Sequence, residues 1–234
     1  MTGSTGVTQT QLEQGVAAVL ATAAIPTTKL GPARRARLTD TERELYFWIL
    51  HRFATDGHPS SADVRAVSAR LGIDAEHALG TLGREDLVHR GADGEITVAY
   101  PFSGRPTAHR VRFPSGHEVD AMCAIDALGI APMFEEQIEV ESRDPLSGDE
   151  IRARAASDGP AQWWPESAVV VAGAIHRDGD DARCGCCPVL NFFATAANAE
   201  RWLAEHPAVR GHRISIEEAA AAGRAVFGKV LSEG

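Results

Sequence analysis

The spacing of apolar residues changes near residue 101 of this 234-residue chain, and that change limits the fold classes open to it. Before it, three segments at 38–57, 60–72 and 74–91 place apolar side chains at helical intervals. After it, short strand-like stretches alternate with single helical segments. We therefore expect an α+β protein, in which a helical N-terminal part precedes a mixed or antiparallel sheet core with flanking helices.

The helical part has the outline of a winged helix. A capping residue at Thr39 or Asp40 opens the first helix, two further capped helices follow, and 95–100 alternates like a strand. A DNA-reading third helix would present basic side chains, whereas segment 74–91 has little net positive charge. We predict an N-terminal extension or linker at 1–37, a winged-helix-like helical domain at 38–104 and an α+β catalytic domain at 105–234.

The second half contains the remaining predicted elements. Residues 137–156 are expected to form a hairpin that turns at an Asp-Pro and a Ser-Gly pair. The other predicted elements are strands at 109–113, 167–175 and 189–195 and helices at 117–134, 196–208 and 215–231.

Charge and the N-terminal composition exclude several classes of protein. The formal net charge of -9 argues against a general nucleic-acid binder, because phosphate contacts require a basic face. The apolar run 15–25 has no basic residue before it, as a secretory signal would, and is too short to cross a bilayer. We expect a cytoplasmic protein without a membrane partner, in which the four cysteines stay reduced.

The first candidate pair for chemistry is Cys123 and Asp126. They lie three residues apart in the predicted helix 117–134, so both side chains would project from one face. A carboxylate beside a thiol can accept the thiol proton and later return it. The alternative is a buried structural cysteine beside an aspartate that faces solvent.

The other three cysteines, Cys184, Cys186 and Cys187, lie within "RCGCCPVLNFF" at 183–193. A structural zinc site usually shows two spaced cysteine pairs, and this segment lacks both that spacing and a partner pair. A Cys-x-x-Cys redox motif is present at 184–187, but Pro188 and the apolar residues after it indicate a strand where a helix is needed. Two thiolates from different segments favour a soft metal or metalloid such as mercury, arsenic or copper(I).

Taken together, these residues resemble the alkylmercury (organomercurial) lyase family. The resemblance is carried by "CAID" at 123–126, "CCPVLNFFATAANAERWLAEH" at 186–206 and "GHRISIEEAAAAGRAVFGKVL" at 211–231. It extends over about residues 38–231, including the helical region before the core.

The resemblance implies protonolysis of a carbon–mercury bond, as part of mercury detoxification and resistance. Cys123 and Cys187 would supply the two thiolates and Asp126 the proton, with mercury bound as substrate and product and no cofactor required. Counting back without a gap from Phe192 and Phe193 favours Cys187, whereas a one-residue insertion would favour Cys186. The partners implied are an organomercury compound, soluble thiols and a mercuric reductase that accepts Hg(II).

The sequence departs from the family pattern at two sites. Asp144 occupies a position where these lyases tend to carry a further structural cysteine, and Pro188 follows the cysteine pair. Cys184 is an additional thiol that would either relay mercury or have no task. Two alternatives therefore stay open: a thiolate sensor or carrier of soft metals whose winged helix contacts DNA, and a divergent enzyme that cleaves another carbon–metal or carbon–heteroatom bond.

Overall fold

The helices of the chain were located in a computed structural model that describes residues 9–23, 25, 30, 33, 35–175 and 185–231. Most begin at a residue whose side chain accepts a backbone N–H of the first turn, as Thr39 does for Glu42. The helices of the described residues are α1 (Gln9–Thr22), α2 (Asp40–Thr55), α3 (Ser61–Leu71), α4 (Ala75–Arg84), α5 (Ala124–Phe134), α6 (Ala196–Glu205) and α7 (Ile216–Phe227).

The strands of the described residues form two antiparallel sheets. Eight of them make one sheet in the order β1-β2-β3-β5-β4-β6-β7-β8, and the other three make a small sheet in the order β10-β9-β11. In chain order they are β1 (Val88–Arg90), β2 (Ile96–Ala99), β3 (Phe102–Ser103), β4 (Arg110–Arg112), β5 (Glu118–Ala121), β6 (Ile138–Arg143), β7 (Glu150–Ala156), β8 (Gly159–Trp164), β9 (Val169–Ile175), β10 (Phe192–Phe193) and β11 (Val209–Ile214).

The α+β class predicted from the sequence is confirmed, and every strand pairing among the described residues is antiparallel. The hairpin expected at 137–156 is β6–β7, with Ile138 opposite Ala155 and Arg143 opposite Glu150. Alternate side chains of β6 and β7 are buried, as expected for a sheet with one face on the core.

The large sheet continues across the predicted boundary at residue 104. Strand β3 pairs with β5, with Phe102 opposite Ala121. The Phe102 ring also stacks on Phe53 of α2, with centroids 5.5 Å apart, and contacts Phe134 of α5 at 5.9 Å. The helical region and the core thus share one apolar cluster, and the division into domains at 104 stays a prediction.

Helices α5 and α7 cross in direct backbone contact at two glycines. A Cβ built on Gly223 would lie 2.8 Å from the Ile125 carbonyl oxygen and 2.9 Å from the Gly129 nitrogen. A Cβ on Gly129 would lie 2.4 Å from the ring of Phe227. This crossing therefore requires glycine at both positions, and it fixes the N-terminal half of α5 against α7.

Several predicted boundaries were wrong. Segment 117–134 is not one helix, because Glu118–Ala121 pairs with β3 and β4 before α5 begins at Ala124. The helix expected at 74–91 ends at Arg84, after which β1 pairs with β2. Of the strand expected at 189–195, only Phe192–Phe193 forms a strand. Strands β8 and β11 were missed.

The helices were also compared with the length that a bilayer requires. Over the residues described, none combines the length and the apolar character needed to cross a membrane.

Candidate active site

Cys123 lies at the N-terminal end of α5 and caps that helix. Its backbone is extended, with φ -158° and ψ 177°, and its Sγ accepts the backbone N–H of Asp126 at 3.4 Å. The expectation that Cys123 lies inside a helix was therefore wrong, because the residue is the cap. The Cys-x-x-Asp spacing here resembles a capping box in which sulfur replaces the usual hydroxyl.

Asp126 occupies the third position of α5, in the first turn, where a carboxylate interacts favourably with the helix dipole. Its side chain is buried, with the residue 5% exposed, so the alternative of a solvent-facing aspartate is excluded. Helix α5 is buried along nearly its whole length, from Ala124 to Met133. Such a rigid, buried helix fixes where the carboxylate can lie.

Cys187 reaches the same place from the segment before β10. Its Sγ lies 3.6 Å from Oδ2 of Asp126. The backbone N–H of Ala124, next to Cys123, donates to the carbonyl oxygen of Leu190 at 2.9 Å. This bond ties the start of α5 to the Cys187 segment, and the two thiols therefore come together through tertiary structure.

The three groups predicted to act together form one cluster. The ligand atoms of Cys123, Asp126 and Cys187 all lie within 4.8 Å of one another, and all three residues are buried. Cys186 is also buried and hydrogen-bonds to Cys187, but it does not belong to this close group. Cys184 lies outside the described residues.

The three described thiols hold their protons more tightly than ordinary cysteines do. Burial raises the pKa of Cys123 to about 12, although its hydrogen bond with Cys187 opposes the shift. The hydrogen bond with Cys123, together with burial, raises the pKa of Cys187 well above its usual value. The hydrogen bond with Cys187 and burial do the same for Cys186. At neutral pH the site therefore holds thiols until a ligand displaces their protons.

Asp144 connects the β6–β7 hairpin to the segment that follows β10. Its Oδ2 accepts the Ala194 N–H at 2.8 Å and the Asn198 side-chain amide at 2.7 Å. Its Oδ1 accepts the backbone N–H groups of Leu146 at 2.8 Å and Ser147 at 3.2 Å. The aspartate thus works as a hydrogen-bonded anchor at the position where the family was expected to carry a cysteine.

His109 supports β10 from the large sheet. Its ring contacts Phe192 with centroids 5.8 Å apart, and its Nδ1 lies 3.0 Å from the Ser142 hydroxyl. Burial lowers the pKa of this imidazole to about 4, so the ring is neutral at pH 7. Its contacts place it as a structural support for the strand after Cys187.

Tyr100 is a site residue that the sequence analysis missed. Its hydroxyl oxygen lies 3.9 Å from Cys187 Sγ, and the residue is buried. The sequence pattern around it shows only the end of a strand before Pro101. Because the contact arises from tertiary packing, no local signal in the sequence identifies it.

Two thiols and a carboxyl group in a buried site can bind a soft metal ion and move a proton. Thiolates are the ligands that mercury and copper(I) prefer, and the carboxylate can take a proton from one of them. A structural zinc site requires four protein ligands, whereas the close group among the described residues has three.

Curated relatives were found in several bacteria. The chain is 30% identical over 119 residues to an alkylmercury lyase of Bacillus cereus, over 51% of this chain and 53% of the relative. The same values hold for an alkylmercury lyase of Clostridium butyricum, so the chain spans about half the length of these two relatives. An alkylmercury lyase of Staphylococcus epidermidis is 25% identical over 182 residues, which are 77% of this chain and 81% of the relative.

A solved structure and a family model extend the comparison. The fold is similar to a crystal structure of the mercury-bound form of MerB2, with a TM-score of 0.67 and 21% identity over 96% of this chain and 100% of the other. The family model described as "MerB: Alkylmercury lyase" matches residues 102–228, which are more than half of the chain and include Cys123, Asp126 and Cys187. The chain therefore belongs to the alkylmercury lyase family.

Proposed function

We propose that this chain is an organomercurial lyase, which cleaves the carbon–mercury bond of R–Hg by protonolysis to release a hydrocarbon and Hg(II). The observation that carries this proposal is the close buried group of Cys123, Asp126 and Cys187 within the region matched by the family model. The group contains the two sulfur ligands and the proton carrier that such a reaction needs.

The first step is the exchange of a thiol proton for mercury. The mercury of R–Hg binds the sulfur of Cys123 or Cys187, and the thiol proton leaves with the ligand that mercury gives up. The high pKa that burial gives Cys123 does not prevent this exchange, because the soft metal binds sulfur in place of the proton.

The second thiol then supplies the proton for bond cleavage. As its sulfur binds mercury, its proton moves to the carboxylate of Asp126, which lies within 4.8 Å of both sulfurs and 3.6 Å from that of Cys187. The carboxyl group next donates this proton to carbon, and the electron pair of the carbon–mercury bond forms the new carbon–hydrogen bond. Hg(II) remains on two thiolates, and Asp126 is again a carboxylate.

Burial of the site favours this sequence of steps. Cys123 is 1% exposed and Cys187 5% exposed, so bulk water has little access to the reacting atoms. In such surroundings a charged carboxylate is costly, which favours transfer of the thiol proton to Asp126. Cys186, next to Cys187, is a further sulfur that can contact mercury during entry or exit.

No organic cofactor or resident metal enters this mechanism, since mercury is the substrate. The Hg(II) product has to leave by exchange onto other sulfur ligands, and soluble thiols or a mercuric reductase are the partners we propose. We propose that this reaction takes place in the cytoplasm as part of mercury resistance. The winged-helix character of the helices before residue 104 stays a prediction, and the acidic net charge of -9 argues against nucleic acid as a partner.

The test is anaerobic incubation of the protein with phenylmercury and excess thiol, followed by measurement of benzene. We expect benzene release by the wild-type chain and its loss in Cys123→Ser. Binding of mercury without release of benzene would instead favour a sensor or carrier of soft metals. Full turnover by the Cys123→Ser variant would contradict the assignment of this site.

A further inference from the structure

Tyr100 brings a hydroxyl group to one of the two sulfurs of the close group. The hydroxyl oxygen lies 3.9 Å from Cys187 Sγ, a separation that is long for oxygen but within reach of the larger sulfur atom. Tyr100 is 3% exposed, so water does not readily replace this contact. The same sulfur lies 3.6 Å from Asp126, and it therefore has a carboxylate and a phenol as polar neighbours.

The backbone around Tyr100 is held on both sides. Its N–H donates to the Leu87 carbonyl at 3.0 Å, and its own carbonyl accepts the Tyr46 hydroxyl at 3.2 Å. The next carbonyl, that of Pro101, accepts the N–H of Met122 at 3.0 Å, one residue before Cys123. The backbone that carries the phenol is thus held against the segment that contains Cys123.

A tyrosine hydroxyl can form a hydrogen bond with the sulfur both when the sulfur is a thiol and after the thiol has lost its proton. While Cys187 is a thiol, its one S–H group can donate either to the Tyr100 hydroxyl oxygen or to Asp126. Once the proton has left and mercury is bound, the sulfur becomes an acceptor and the hydroxyl can rotate to donate to it. A phenol keeps its proton at neutral pH, so the hydroxyl remains available as a donor.

We propose that the Tyr100 hydroxyl is a further catalytic group of this site, which donates a hydrogen bond to the mercury-bound sulfur of Cys187 while the carbon–mercury bond breaks. This role rests on the proposed lyase function. The bond forms after the thiol proton has left, so it stabilises the later states more than the resting enzyme. Its loss should therefore lower kcat and leave KM nearly unchanged.

The first experiment compares Tyr100→Phe with Tyr46→Phe, since these are the two tyrosines of the chain. Both variants lose one hydroxyl, but the Tyr46 hydroxyl donates to the backbone carbonyl of Tyr100, whereas the Tyr100 hydroxyl contacts the sulfur of Cys187. We expect kcat for phenylmercury to fall about tenfold in Tyr100→Phe, the loss typical of a hydrogen bond to a charged group. Tyr46→Phe removes one of the three hydrogen bonds that hold the backbone of residues 100 and 101, so it should lower kcat less than Tyr100→Phe does.

The second experiment observes the sulfur directly and does not require turnover. The ultraviolet sulfur-to-mercury charge-transfer band of the Hg(II)-loaded protein reports how strongly the sulfur lone pairs are stabilised. Removal of a hydrogen bond raises the energy of these lone pairs, so the band should move to longer wavelength in Tyr100→Phe. It should keep its wild-type position in Tyr46→Phe.

A third protein tests the same hydrogen bond in case Tyr100→Phe does not fold. In the Tyr46→Phe background, 3-fluorotyrosine labels position 100 alone and strengthens the hydroxyl as a donor, so the band should move to shorter wavelength. Unchanged kcat in Tyr100→Phe, or a band that does not move in either protein, would overturn the role of Tyr100. Failure of the wild type to release benzene would overturn the lyase proposal, while the band positions would still test the hydrogen bond.

Discussion

The sulfur of Cys187 lies 3.6 Å from a carboxylate oxygen of Asp126, although the two residues are 61 positions apart in the sequence. The contact joins the start of a buried helix in one part of the core to the segment before a short strand in another. A thiol and a carboxylate at this distance can exchange a proton directly, with no intervening water.

Cys187 and Cys186 provide a matched pair of variants for the second thiolate. We expect Cys187→Ser to lose benzene release from phenylmercury down to the background rate, because serine oxygen is a poor ligand for a soft metal. Cys186→Ser should lose much less, since Cys186 lies outside the close group of Cys123, Asp126 and Cys187. Gas chromatography of benzene measures both, and the reverse order of losses would assign the role to Cys186.

Asp126→Asn should separate mercury binding from bond cleavage. The amide keeps the shape of the side chain but cannot carry the proton, so we expect turnover to fall about a hundredfold or more. Both thiols remain, and the variant should accumulate an R–Hg adduct that native mass spectrometry detects. Benzene release at the wild-type rate would show that the thiol proton reaches carbon by another path.

His109 should make the stability of the fold depend on pH between about 6.5 and 4. The pKa of this buried imidazole is lowered from 6.5 to about 4 by burial, so in this window the unfolded chain binds a proton that the native state does not. The free energy of unfolding should therefore be highest above pH 6.5, where His109 is neutral in both states. It should fall by on the order of 3 kcal/mol as the pH drops towards 4.

Urea unfolding at a series of pH values measures this dependence. His109→Gln should flatten the curve within that window, because glutamine does not titrate. His212→Gln, which replaces an exposed histidine of β11, is the control and should follow the wild-type curve. If the free energy of unfolding depended on pH in the same way in all three proteins, the pH dependence could not be assigned to His109.

Gly223→Ala should destabilise the protein and impair the site. The added Cβ would lie 2.8 Å from the backbone oxygen of Ile125, the residue before Asp126, so the two helices must separate. We expect a loss of about 1 to 3 kcal/mol in the free energy of unfolding, together with reduced benzene release.

Gly15→Ala is the matched control in another helix. Its Cβ would meet one atom of the Glu218 side chain at 3.8 Å, an ordinary contact, and alanine favours helix over glycine. The variant should gain about 0.5 to 1 kcal/mol of stability and keep its activity. A destabilised Gly15→Ala, or an unaffected Gly223→Ala, would contradict the importance of the α5–α7 crossing.

The sequence predicted the fold well where local signals are strong. Helix α2 is capped by Thr39, one of the two residues expected to open it, and the alternation of apolar residues identified the β6–β7 hairpin. It failed at 117–134, where the apolar residues of a short strand and of a fully buried helix run together without a break. Strand β11 was missed because most of its side chains are exposed, which leaves no alternating pattern.

The candidate site could be predicted in composition but not in geometry. The residue types and the family resemblance named Cys123, Asp126 and Cys187, and the structure brings these three together. Their proximity depends on tertiary contacts such as the bond from Ala124 to Leu190, which no local pattern encodes. The same holds for Tyr100, since it reaches Cys187 from a strand end 87 residues away.

The two thiols lie beside strands of different sheets. Cys123 follows β5 of the large sheet, and Cys187 precedes β10 of the small one. The separation of the two sulfurs consequently depends on how the segments after β5 and before β10 are held together, as they are by the bond from Ala124 to Leu190. A shift of one segment relative to the other would stretch or compress a bound S–Hg–S unit. If the proposed function holds, the packing that fixes these two segments also sets how tightly the two sulfurs bind Hg(II).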